Sequence, residues 1–257
     1  MLHNNKINSW YWLVILAFFH ALTTADLCAD TGYSEVARLQ TLAAAGDLQA
    51  LYNLSWYHLH GDANLPGGRA KGVELLHQAA VGGLPQAQFS LSWFYQRGDI
   101  LAHSPDIATQ WLRRAAEQGY ADAQYSLSWW LRDGILVNRD AVEAFRWMRL
   151  AALQDHADAC HALGWAYYRG EGIAANTTEA FAWFARGGEL GHVDSQAIVG
   201  AAYLRGEGVG QDLVQAYRWL DHAASGGHEK ARHTRDSLKT KLSPTQLDRV
   251  KRGAPDP

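Results

Sequence analysis

His156, His192 and His228 return every 36 residues in this chain of 257 residues. A histidine at a fixed interval is either a recurring ligand or base, or a recurring joint of a repeated fold. Twelve histidines in all could bind metal or move protons. Zinc requires three or four ligands at short, characteristic spacings. His58 and His60 lie two apart at the end of a predicted helix, on different faces, with no third ligand at such a spacing. His156, His192 and His228 each stand three residues before a predicted helix start, where Leu84 and Tyr120 stand in earlier copies. That is a turn position, so they read as turn residues rather than metal ligands. The chain has no H-E-x-x-H, no G-x-S-x-G and no P-loop. Glu171 and Glu207 lie beside turn glycines and read as solvated. The expectation is a chain without catalytic residues, metal or cofactor.

Two cysteines, Cys28 and Cys160, complete the reactive inventory. Some 130 residues separate them, and in an elongated fold their Cα atoms would not come within the ~7 Å a disulfide needs. They are expected unpaired. Ahead of Cys28, residues 1–25 have the shape of a secretory signal: Lys6 without an acid, thirteen mostly apolar residues from Trp10 to Leu22, then Thr23-Thr24-Ala25. Thirteen residues fall short of the roughly 20 that span a membrane, although a retained anchor is the alternative. The expected mature chain starts near Asp26 and acts in a bacterial periplasm. A net charge of −3 gives no basic excess for nucleic acid.

What would position any functional residue is a repeat. Ala50, Ala87, Ala123, Ala159, Ser195 and Ala231 mark its copies, 37 and then 36 residues apart. Four residues on comes Leu54, Leu91, Leu127, Leu163 or Val199, followed by a small residue: Ser55, Ser92, Ser128, Gly164 or Gly200. The first helix of each copy ends at Gly61, Gly98, Gly134, Gly170 or Gly206. The second helix carries Trp111, Trp147, Trp183 or Trp219, each three residues after an alanine. An Ala-Ala pair follows, except that the fourth copy has Gly187-Gly188, expected to weaken that helix. The stretch "LSPTQLDRV" predicts a terminal helix with Ser243 as N-cap, Pro244 at the first position and Gln246 closing a capping box.

The motif A-x-x-x-L-G-x-x-Y-x-x-G-x-G, nearly complete from Ala159 and again from Ser195, resembles the Sel-one-like repeat family, relatives of tetratricopeptide proteins. The resemblance implies an all-α solenoid of αα-hairpin repeats, a right-handed superhelix of about five repeats with capping helices. The expected division is 1–25 signal, 26–49 N-terminal cap, 50–230 repeats and 231–257 C-terminal cap. The resemblance further implies a scaffold that binds another protein; the mature chain is expected to be a monomer, without nucleic acid and without membrane insertion. An immunity protein against a secreted effector such as a lipase, and an envelope scaffold or regulator, are the narrower alternatives.

One stripe exceeds the needs of the repeat. Counting from the marker alanine as zero at 100° per residue, positions 0, 4, 7 and 8 share one face. Positions 2, 6 and 9 fall on the far side. Position 6 is Trp56, Trp93, Trp129 and Trp165; position 2 is Tyr52, Phe89, Tyr125 and His161. Arg132 and Tyr168 hold position 9 in the third and fourth copies. The candidate protein-binding residues are therefore Tyr52, Trp56, Phe89, Trp93, Tyr125, Trp129, Arg132, Trp165 and Tyr168. Two arrangements are open: an aromatic groove, or a self-stacked spine. The fifth copy, with Ala197 and Ala201, is expected to lie outside any aromatic groove.

Overall fold

The protein is described from a computed structural model, which places residues 29–60 and 65–252. The expected signal, Cys28 and Gly61 lie outside the described residues. Among the described residues there are thirteen α-helices and no strand. They fall into two compact units, divided between Gly82 and Gly83.

The first unit holds α1 (Ala29–Ala44), α2 (Leu48–His60) and α3 (Gly68–Val81). Helices α2 and α3 form a hairpin, and α1 packs on α2. Asp47 starts α2 by accepting the Ala50 N–H at 2.7 Å.

The second unit repeats that hairpin four times: α4 (Pro85–Arg97) with α5 (Pro105–Glu117), α6 (Ala121–Asp133) with α7 (Ala141–Ala152), α8 (Ala157–Arg169) with α9 (Thr177–Glu189), and α10 (Val193–Arg205) with α11 (Leu213–Ser225). Each second helix also packs on the first helix of the next hairpin, which stacks them as a solenoid. Helices α12 (Glu229–Lys239) and α13 (Pro244–Arg252) close it against α11. The capping box of α13 forms as the sequence predicts: the Ser243 N–H donates to Gln246 Oε1 and the Gln246 N–H to Ser243 Oγ.

The marker residues make the core. Leu91, Leu127, Leu163 and Val199 have no solvent access, a burial that stabilises by about 1.5–3 kcal/mol per side chain. The small residue after each is needed for contact. A Cβ on Gly164 would lie 2.7 Å from the Phe184 ring, and one on Gly200 would lie 2.7 Å from Leu220. Where serine stands instead, its buried hydroxyl donates to the carbonyl three residues back, as Ser92 does to Phe89 at 2.7 Å.

Gly187-Gly188 does not interrupt α9. The pair makes room for the next hairpin: a Cβ on Gly188 would lie 2.8 Å from the Trp219 ring, and one on Gly187 would lie 3.0 Å from Ser195 Oγ. The fourth copy therefore loses two methyls where the fifth gains a hydroxyl at its marker position. In the Gly-x-Gly turns, the second glycine is the contact residue. Gly172 has φ +76°, and its missing Cβ would fall against the carbonyl oxygen of Ala141, at the start of the preceding second helix.

Candidate protein-binding surface

The three periodic histidines are helix caps that also tie neighbouring hairpins together. His156 Nδ1 accepts the Ala159 N–H at 3.2 Å, and His192 and His228 accept the Ser195 and Ala231 N–H groups at 3.1 Å. A neutral imidazole that accepts at Nδ1 carries its proton on Nε2. Each Nε2 faces a carboxylate at the second residue of the preceding hairpin's first helix. The distances are 3.2 Å to Asp122, 3.2 Å to Asp158 and 3.8 Å to Asp194.

One of these joints has the makings of a nucleophile, base and acid. Ser195 Oγ lies 3.2 Å from His192 Nδ1, whose Nε2 faces Asp158. Ser195 has no solvent exposure, however, and His161 Nδ1 also contacts its hydroxyl at 2.9 Å. No substrate can reach that oxygen, and the same cap recurs at His156 over an alanine. Among the described residues, no cluster of three His, Cys, Asp or Glu is placed to hold a metal ion. Burial pushes the Cys160 thiol up to about 11, so it stays protonated and unreactive.

The nine candidate residues divide. In the first unit, Tyr52 is buried rather than groove-facing; Trp56 is half-buried, edge-on to Tyr52 and stacked on His60. In the second unit, Phe89 is also buried, at 8% exposure. Position 2 lies on the far side of its own helix, and of the two arrangements left open it takes the stacked one. Counting angles around one helix considers only its own hairpin. In the stack, the cap residue of the next hairpin covers position 2. Phe89 meets Tyr120 at 5.5 Å between ring centres, Tyr125 meets His156 at 4.7 Å, and His161 stacks on His192 at 4.1 Å.

Position 6 rests on position 2 of its own helix, edge to face: Phe89 with Trp93 at 6.1 Å, Tyr125 with Trp129 at 6.3 Å, His161 with Trp165 at 6.3 Å. The indoles thus stack along each helix, and their outer sides carry cations. The Arg132 guanidinium lies 4.4 Å from the Trp129 ring centre, and that of Arg169 lies 4.7 Å from Trp165. Trp93 and Trp165 are half-buried. Trp129 and Tyr168, at 38% and 44%, are the most open of the second unit's candidate aromatics.

The structure opens a groove where the aromatic pattern stops. A cavity of about 580 Å³ is lined by residues of α8 to α12, Trp165, Tyr168, Ala197, Ala201, Lys230 and Thr234 among them. Of the nine candidates only Trp165 and Tyr168 line it. The residues missed were the alanines and their neighbours Ile198, Arg205, Glu207 and His228. Arg205 and Glu207 pair at 2.8 Å on the rim. The same Glu207 carboxylate, bonded to the Tyr168 hydroxyl, raises that phenol above its ordinary pKa.

A model of the Sel1 repeat matches five times, over residues 48–83, 85–120, 121–156, 157–192 and 193–228. Among solved structures, a Sel1 repeat protein from Oxalobacter formigenes is similar over 79% of this chain and 58% of its own, at 33% identity and a TM-score of 0.71. A protective antigen present in uropathogenic Escherichia coli strains, displaying an SLR fold, is similar over 84% of this chain and 54% of its own, at 26% identity and a TM-score of 0.51. An immunity protein from Pseudomonas aeruginosa matches 97% of this chain and 87% of its own, at 16% identity and a TM-score of 0.49. The chain spans little more than half the length of the first two. No curated protein matches it.

Proposed function

The chain belongs to the Sel1 repeat family, and from that premise we propose that it is a protein-binding scaffold whose working surface is the groove lined by α8 to α12. The observation that carries this is the cavity itself. It is lined by Trp165 and Tyr168, residue types enriched where proteins bind, and it is rimmed by charge. No helix among the described residues is long and apolar enough to cross a membrane. Export to the periplasm is part of the proposal and is supported by the sequence of residues 1–25.

Capture on the immobilised chain from periplasmic extract tests the reading. Tyr168→Ala with Lys230→Ala should weaken retention of the partner about thirtyfold, the loss of one strong contact of about 2 kcal/mol. The melting temperature should stay unchanged. Equal retention by the double variant and the parent would reject the groove. A secreted antibacterial hydrolase in the captured fraction would make the chain an immunity protein. An envelope-assembly component would make it a scaffold of that machinery.

A further inference from the structure

Three hairpins of the second unit set two rings on each first helix, and five of these six rings meet a receiver. The ring at position 2 meets the cap residue of the next hairpin: Phe89 with Tyr120, Tyr125 with His156, His161 with His192. The ring at position 6 lies under an arginine in two of them: Trp129 under Arg132, Trp165 under Arg169. The fourth hairpin keeps the receivers and lacks the rings. His228 caps α12 as His156 and His192 cap their helices, but position 2 opposite it is Ala197. Arg205 stands at the place of Arg169, one repeat on, but position 6 is Ala201. His228, Arg205 and both alanines line the 580 Å³ cavity.

We propose that this cavity receives an aromatic side chain of the partner polypeptide, seated over Ala197 and Ala201 between the His228 imidazole and the Arg205 guanidinium. The inference rests on the protein-binding reading and adds the chemistry of what is bound. The occupant follows from the chain's own rungs. A flat ring in that place finds an imidazole to stack on, a cation for its face and Trp165 beside it. A branched aliphatic side chain fills part of the volume but engages neither receiver. Glu207 holds Arg205 in place through its ion pair.

The test uses the full chain with alanine and isoleucine methyls labelled for NMR, titrated with N-acetyl-tryptophanamide and, separately, N-acetyl-leucinamide. The tryptophan probe should shift the Ala197, Ala201 and Ile198 methyls upfield, with saturation, and should bind at least tenfold tighter than the leucine probe. Ala197→Phe, which supplies the missing ring in cis, should abolish that binding and leave melting unchanged or higher. Absence of a saturable shift, or equal binding of the two probes, overturns the inference without any variant. Unaltered binding in a folded Ala197→Phe protein also overturns it. Partner retention on the immobilised chain is read in parallel. Retention without aromatic preference sinks the inference alone, whereas failure to retain any protein counts against the protein-binding reading.

Discussion

The periodic histidine does its work with both nitrogens, one on its own helix and one on its neighbour. His156→Ala removes the Ala159 cap and the Asp122 contact together. The expected cost is about 1 kcal/mol of unfolding free energy, as for other lost caps, measured by urea denaturation near neutral pH. His156→Asn restores an acceptor for the cap and should recover part of it. The partner carboxylate adds a pH dependence. Burial works to raise the Asp122 pKa, but hydrogen bonds from His156 and Tyr120, with the His156 charge, outweigh it and hold the carboxyl below its ordinary 3.8. A carboxyl depressed in the folded state contributes its stability above its unfolded pKa and loses it as pH falls through the folded one. Melting temperature should therefore fall more steeply below pH 3.8 in the parent than in Asp122→Asn. Parallel curves would show the carboxylate to be indifferent to folding.

At the level of the helix and its turn, two glycines separate backbone conformation from contact. Gly191 has φ +90° and open space where a Cβ would stand; Gly172 has φ +76° and the Ala141 carbonyl there. Gly191→Ala should cost only the left-handed backbone, about 1 kcal/mol. Gly172→Ala should cost about 3 kcal/mol, because the turn must also back away from α7. Equal costs from chemical denaturation would mean that the turn yields freely. These elements were legible because their signals are local. Gly134, Gly170 and Gly206 stop helices, Ser243 and Gln246 start one, and alanine and leucine at fixed intervals mark a buried stripe. The candidate surface was less so. Whether Phe89 faces solvent depends on Tyr120, in the next hairpin, and one helix's angles contain no neighbour. Ala197 and Ala201 were harder still, since an alanine that lines a groove is the same residue as an alanine in a core. The available signal was mismatch, with His228 and Arg205 keeping their register after the rings beneath them had gone.

Across the second unit, the main packing of each hairpin is on its neighbours in the chain, so similar contacts recur from joint to joint. The joint between α9 and α10 differs from the others: Gly187 leaves space that the Ser195 hydroxyl fills. Heredity in such a chain has a natural stride. Excising residues 121–156 would join Tyr120 to Ala157 in the register where it now meets Ala121, leaving the keyed joint intact. That shortened chain should still melt in one transition, at a lower temperature. Excising residues 157–192 is the same length of cut and puts His156 correctly before Val193, but it sets the Ala151 methyl against Ser195. It should melt lower than the first excision by calorimetry, and Ser195→Ala should rescue it. Two of the four hairpins are interchangeable parts; the third and fourth are a matched pair, because the last accepts only a predecessor that was cut to fit.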